Sequence, residues 1–287
     1  MIKLKNDQKE PVLVTGGTGK TGRRLAERLE AAGIPVRIGS RSAEIPFEWE
    51  KADTWDAALE GVSAAYVAYF PDLAVPGAAE IVEAFAKRAV AKGVTRLVLL
   101  SGRGEEGAER AEKLFVGSGA DWTILRADWF FQNFSEAFFL DAIRAGELAL
   151  PVGDVREPFV DVDDIADVAF AALTERGHEG KLYTLTGPRL MSFPEMMREI
   201  GAACGREIRF KQIPVETFVE SARREGLDEP MIGLLRELFT EVLDGRNESV
   251  ADGVKQALGR PPRDFSDYVR RTVATGVWNV APDADAV

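Results

Sequence analysis

The 287-residue sequence predicts an α/β fold: a doubly wound parallel sheet flanked by helices, with a smaller, mostly helical C-terminal cap. Three observations predict it. Short apolar, β-branched runs recur between residues 12 and 125, helical patterns separate them, and a glycine-rich turn joins the first run to the first helix. Val12-Leu13-Val14-Thr15 is the first buried strand, and Gly16 stops it. The helix that follows sets Leu25, Ala26 and Leu29 inward, and Gly33 ends it. Residues 36–38 form a second strand, Asp53-Thr54 caps a helix running to Glu60, and residues 64–70 form a strand that stops at Pro71. Residues 78–92 place Ile81, Val82, Phe85 and Ala89 on one helical face before Gly93. Strands at 96–101 and 122–125 complete the series, whose ligand crevice is expected beyond the carboxyl ends of the strands.

Past residue 126 the pattern loosens. Phe130, Phe134 and Phe138 repeat every fourth residue, as on a helix, and short strands are expected near 148–152 and 158–160. Asp163-Asp164 opens a helix, followed by a strand at 182–185 and a helix at 193–203. From Val215 the reading is mostly helical, with Ile232, Leu235, Leu238, Phe239 and Val242 as a core stripe. The expected organisation is a flexible tail at 1–10, a dinucleotide-binding domain at 11–155, and a region at 156–287 that partly returns to the sheet and partly caps it.

Composition narrows the function. Lys+Arg 36 against Asp+Glu 47 gives a net charge of −11, which would repel a phosphate backbone, so nucleic acid is not an expected partner. The single cysteine, Cys204, excludes an intrachain disulfide and any multi-thiolate metal site, and fits a reducing cytoplasm. The single histidine, His178, sits in a polar, glycine-flanked run that reads as an exposed turn. Zinc hydrolases and histidine-based triads are poor fits. No apolar run reaches the ~20 residues of a bilayer span, and no targeting segment is seen, so a cytoplasmic monomer or homodimer is expected.

The chemistry is concentrated in Thr15-Gly16-Gly17-Thr18-Gly19-Lys20-Thr21-Gly22. Gly16 permits a tight turn, Gly19 lets the backbone approach a pyrophosphate, and Gly22 lets the helix pack closely on the sheet. With Thr18, Lys20 and Thr21 these form the expected phosphate cradle. A P-loop is excluded because its first glycine would fall on Val14. The second strand ends in Gly39-Ser40-Arg41-Ser42, with no carboxylate until Glu44. A cation there suits a 2′-phosphate, so Ser40 and Arg41 favour NADP(H) over NAD(H), although NAD(H) stays open and Arg41 also reads as a solvated surface residue. Glu48 and Trp49 are placed beside the adenine.

Together with Gly-Ser-Arg-Ser at 39–42, Leu-Leu-Ser at 99–101, Trp-Thr-Ile-Leu-Arg at 122–126, Trp-Phe-Phe-Gln-Asn-Phe at 129–134 and Pro-Phe-Val-Asp-Val-Asp-Asp-Ile-Ala at 158–166, the glycine loop resembles the NmrA-like atypical short-chain dehydrogenases. Within that group the chain is most similar to the ergot-alkaloid reductases, the festuclavine and agroclavine dehydrogenases. The resemblance implies a Rossmann-like fold and a nicotinamide coenzyme without flavin or metal. It does not fix the substrate, because the group also includes flavin-free quinone reductases and proteins that only sense nicotinamide redox state.

Ordinary short-chain dehydrogenases use a Tyr-x-x-x-Lys pair, whose lysine lowers the tyrosine pKa for proton transfer. Four residues after Tyr66, Tyr69, Tyr183 and Tyr268 stand Phe70, Leu73, Gly187 and Thr272, so this chain has no such pair. Where it is expected, after Ser101, the chain offers Glu109 and Lys113; Lys113 reads either as a ribose ligand or as a surface lysine. An iminium or quinone acceptor needs no strong built-in acid, so the expected reaction is hydride transfer from NADPH to a bulky, conjugated or aromatic small molecule. The expected site runs through Tyr69 and Phe70, then Ser101, Gly102 and Arg103, then Asp128, Trp129, Phe130, Gln132 and Asn133. For the aromatics, core packing is an equal alternative, and Asp128 reads either as a proton relay or as a helix cap. Asp161, Asp163 and Asp164 read as one helix cap plus solvated carboxylates rather than a metal site. Two other functions stay open: aromatic-polyketide tailoring by reduction or monooxygenation, and non-catalytic NADP(H) sensing.

Overall fold

The computed structural model describes residues 10–136 and 139–280. In chain order the elements are β1 (Val12–Thr15), α1 (Lys20–Ala31), β2 (Val36–Gly39), α2 (Trp55–Leu59), β3 (Ala64–Val67), α3 (Ala78–Ala91), β4 (Arg96–Gly102), α4 (Glu106–Val116), β5 (Asp121–Ala127) and α5 (Leu140–Ala145). They continue with β6 (Glu147–Leu150), α6 (Val162–Thr174), β7 (Lys181–Leu185), α7 (Phe193–Cys204), β8 (Arg209–Gln212), α8 (Val215–Arg224), α9 (Glu229–Glu237), α10 (Gly253–Leu258) and α11 (Phe265–Val273). Six strands form one sheet in the order β2-β1-β3-β4-β5-β7, the doubly wound arrangement expected from the sequence. β1 pairs in parallel with β2 (Val12 opposite Val36) and with β3 (Val12 opposite Ala64), and β3 with β4 (Ala64 opposite Arg96).

The chain divides into two compact units: residues 1–126, 165–183 and 256–259, and residues 127–164, 184–255 and 260–287. In the first, β1 and β3 are buried along their whole length, as strands covered on both faces must be. Leu97 and Leu99 of β4 meet Val82, Phe85 and Ala89 of α3 and Ala108, Ala111 and Phe115 of α4 in one core. The second unit has its own aromatic core, in which Phe131, Phe134, Phe139, Phe159, Phe193 and Phe265 interlock. Of the expected stripe, Ile232, Leu235, Phe239 and Val242 are buried, and Leu238 is half-buried against that core.

Several expectations are corrected. The strand from Ala64 ends at Val67 rather than Phe70, because Ala68 turns its N–H to the Thr15 hydroxyl at 2.8 Å. Phe130 and Phe134 do not share a long helix; a short 3₁₀ turn spans Phe131–Phe134, and Phe138 lies outside the described residues. The expected strand at 158–160 is only a single bridge, Phe130 to Val160. β8, unseen in the sequence, pairs in parallel with β6 (Glu147 opposite Arg209) as a second, two-stranded sheet. Its Arg-Phe-Lys-Gln run lacks the β-branched residues that mark a strand. His178 is not in an exposed turn. It is buried, its Nδ1 lies 3.0 Å from the Tyr183 hydroxyl, and its carbonyl accepts the Thr123 hydroxyl at 2.8 Å.

Candidate functional site

The glycine loop takes its shape from main-chain contacts. Thr15, at the end of β1, donates its hydroxyl to the Tyr66 carbonyl at 3.0 Å, tying the mouths of β1 and β3 together. The chain then turns through Gly16 at φ +61°, and the Gly19 N–H closes the turn on the Gly16 carbonyl at 2.8 Å. Gly22 is compulsory: a Cβ there would stand 2.3 Å from the Gly16 carbonyl oxygen. Helix α1 begins at Lys20 with Gly19 as its cap, and no side chain caps its first N–H groups. Thr18 and Gly19 are exposed and Lys20 is half-buried, whereas Thr21 is buried against the Tyr66 hydroxyl. A diphosphate fits this loop: its cap residue, Gly19, brings no side chain to the helix start, and the positive end of a helix dipole lies there.

Beyond β2, the Ser40 carbonyl accepts N–H groups from Ala43 (3.3 Å) and Phe47 (3.0 Å), which folds residues 40–47 into a closed loop with Arg41 exposed. The Ser40 hydroxyl lies 3.5 Å from that of Ser42. Glu48 and Trp49, expected beside the adenine, both have partners within the fold. Glu48 pairs with Lys51 at 2.8 Å, and its carbonyl takes the Trp55 indole N–H at 3.0 Å. Trp49 is a core residue, edge-on to Phe47 and Phe85. Tyr69 tilts against Trp49 with ring centroids 5.2 Å apart, whereas Phe70 is 67% exposed.

At the end of β4, Ser101 is buried and donates to Glu112 Oε1 at 2.6 Å. Glu112 is buried on α4 and held by Arg126 from β5, whose Nε is 2.9 Å from Oε1 and whose Nη2 bonds Oε2. The Glu112 hydrogen bond raises the Arg126 pKa, so the guanidinium stays charged. Neither Glu112 nor Arg126 was expected at the site. The signal was available, since Ala108, Ala111 and Phe115 define the inner face of α4 and Glu112 is an acid on that same face. Gly102 lies against the Glu105 carboxylate, Arg103 is half-buried, and Lys113 is exposed on α4.

In the second unit, Asp128 is buried and accepts the Trp129 N–H at 2.8 Å. Gln132, expected to contact substrate, is buried and committed at both ends: its amide donates to Asp161 at 2.8 Å, and its carbonyl takes the Val162 N–H at 2.9 Å. Asn133 is half-buried, and its carbonyl accepts the Phe139 N–H. Phe130 is half-buried; Trp129 is half-buried and stacks on Phe239, centroids 5.7 Å apart. Asp161 and Asp164 are not solvated carboxylates: both are fully buried, Asp161 bound to Arg271 and Asp164 to Arg260 and Arg263. Among the described residues, no three His, Cys, Asp or Glu side chains are grouped to hold a metal ion, and no helix is long and apolar enough to cross a membrane.

These features match known proteins along most of the chain. Festuclavine synthase II of Penicillium roqueforti is 32% identical over 280 residues, covering 89% of this chain and 96% of that protein. The chain belongs to the NmrA-like atypical short-chain dehydrogenases/reductases. Like the oxidoreductases and dehydrogenases among its relatives, it is an NAD(P)H-dependent oxidoreductase. No family model matches it. Two solved structures share the fold of this reductase. The Escherichia coli NADPH-dependent quinone oxidoreductase QOR2, complexed with NADPH, has a TM-score of 0.76 at 20% identity, covering 91% of this chain and 99% of that one. The negative transcriptional regulator NmrA, in complex with NADP, has 0.68 at 17% identity, covering 94% and 98%.

Proposed function

We propose that the protein transfers hydride from NADPH to a conjugated or aromatic small molecule of quinone or iminium type, without a tyrosine acid. The observation that carries this reading is the state of its tyrosines. A tyrosine that exchanges a proton near neutral pH needs its pKa lowered. Here burial raises all four: Tyr66 and Tyr268 strongly, Tyr183 beside His178, and Tyr69 with help from the Glu50 charge. A ketone reduced in such a site would leave an alkoxide with no tyrosine of lowered pKa to meet it. A quinone spreads the incoming charge over its ring, and an iminium ion is neutralised by it.

The chain's residues supply binding and orientation. The Gly16–Gly22 loop holds the diphosphate on backbone N–H groups, and exposed Arg41, with Ser40, takes the 2′-phosphate. The bound coenzyme supplies the hydride. Tyr69, Phe70, Ser101, Gly102 and Arg103 lie at the carboxyl ends of β3 and β4, and Arg103 offers a cation to the negative charge that develops on a reduced quinone.

The test is a panel of quinones and cyclic iminium ions with NADPH and NADH, followed at the nicotinamide absorbance with oxygen consumption in parallel. The expected result is turnover with NADPH and at least one electron-poor acceptor, without oxygen loss beyond that of hydroquinone autoxidation. Binding of NADPH with no turnover of any acceptor contradicts the proposal. Stoichiometric oxygen incorporation into product points instead to a tailoring oxygenase.

A further inference from the structure

The inner face of α4 carries three apolar residues and one acid. Glu112 is 4% exposed, and a carboxylate at that depth persists only when it is matched. Its partners come from the carboxyl ends of two strands: Arg126 of β5 grips both oxygens, and Ser101 of β4 donates its hydroxyl at 2.6 Å. The arrangement fixes the polarity of that hydroxyl. Serine has one proton and two lone pairs. Glu112, with an Arg126 N–H on each of its oxygens, takes the proton, and what remains at Ser101 is acceptor capacity alone. A hydroxyl meant to steady an oxyanion must donate; this one cannot.

The sheet order indicates what it would accept from. β2 lies on one side of β1, and β3, β4 and β5 lie on the other. With the diphosphate on the loop after β1 and the adenosine half toward β2, the nicotinamide half extends toward β3 and β4, where Ser101 ends its strand. That half carries ribose hydroxyls, which rotate freely, and one donor fixed to the ring plane, the carboxamide N–H, the contact that sets the ring's face. We propose that Ser101 accepts the carboxamide N–H of the nicotinamide ring, with Glu112 and Arg126 as positioning residues that hold the hydroxyl in its accepting sense. The inference rests on the coenzyme reading above and adds to it a way of fixing which ring face meets the acceptor.

The experiment compares binding of NADPH with that of its reduced 3-acetylpyridine analogue, whose acetyl group accepts but cannot donate. Binding is read by coenzyme fluorescence, because the acetyl group also changes the reduction potential and would confound rates. The wild-type protein should bind the analogue about tenfold more weakly, the effect of leaving one acceptor unmatched. Ser101→Ala should bring the two affinities to within about twofold. Glu112→Leu removes the acceptor that holds the Ser101 proton and lets the hydroxyl rotate, so the preference should fall although Ser101 is intact. A Glu112 that acted only on folding would lower thermal stability and leave the ratio unmoved, which would overturn its positioning role. An unchanged tenfold preference in folded Ser101→Ala overturns the inference while leaving the coenzyme reading in place. Failure of the wild-type protein to bind either coenzyme overturns both.

Discussion

The glycine loop of the first unit and the 127–164 segment of the second were both expected to line the site, and they use their residues in opposite ways. The loop offers main chain, shaped by the Gly16 turn and the Gly19 N–H on the Gly16 carbonyl. The segment offers side chains, most of which already serve the unit's own architecture: Gln132 bonds Asp161 and Val162, Asp128 bonds the Trp129 N–H, and Trp129 stacks on Phe239. A site made of backbone leaves a sharp trace in sequence, because only glycine tolerates the close approach. One made of side chains does not, because aromatic and polar residues build cores equally well.

The largest effect should come from the buried charge of the first unit. Arg126→Met leaves Glu112 without its cation and should cost ~3–5 kcal/mol in denaturant unfolding. Next is Gly22→Ala, which puts a methyl 2.3 Å from the Gly16 carbonyl oxygen. It should cost ~3 kcal/mol and abolish NADPH binding in a fluorescence titration, while Gly33→Ala, with nothing within 4 Å but φ +67°, should cost ~1 kcal/mol and leave binding intact. In the second unit Asp164 is held by two arginines. Arg263→Met leaves Asp164 still paired with Arg260 and should cost ~2 kcal/mol, less than its counterpart in the first unit.

Acid should probe the second unit separately. Burial opposes the Asp264 charge, but the Arg189 guanidinium and Ser266 outweigh it and lower the carboxyl to about 2. An unfolded aspartate titrates near ~3.9. The stability from this group is therefore full above about pH 4 and lost as pH falls through about 2. In Arg189→Met, the plot of unfolding free energy against pH should flatten across that window; an unchanged slope would contradict the assignment. The smallest structural effect is expected at exposed Arg41. Arg41→Ala should change stability by no more than ~0.5 kcal/mol while lowering the NADPH/NADH affinity ratio about tenfold, as loss of a phosphate partner implies.

Most of the fold was legible because its signals are local. The runs at 12–15 and 96–101 are apolar and β-branched, the stops fall at Gly33 and Gly93, and the α3 face repeats at helical spacing. What escaped depends on distant partners. The buried state of His178 is set by Tyr183 and Thr123, neither of which its glycine-flanked neighbourhood announces. β8 is a strand because β6 is there to pair with it. The pairing of Glu112 with Arg126 exists only because the end of β5 and the inner face of α4 are brought together.

The claim most open to direct contradiction is that hydride is delivered without an internal acid. 1,4-Naphthoquinone and 1-tetralone share size and ring shape, but only the first stabilises the charge it receives. With saturating NADPH the quinone should be reduced at least ~10³-fold faster than the ketone, the scale of a missing general acid. Reduction of the two at comparable rates would show that an acid is at work and contradict the account.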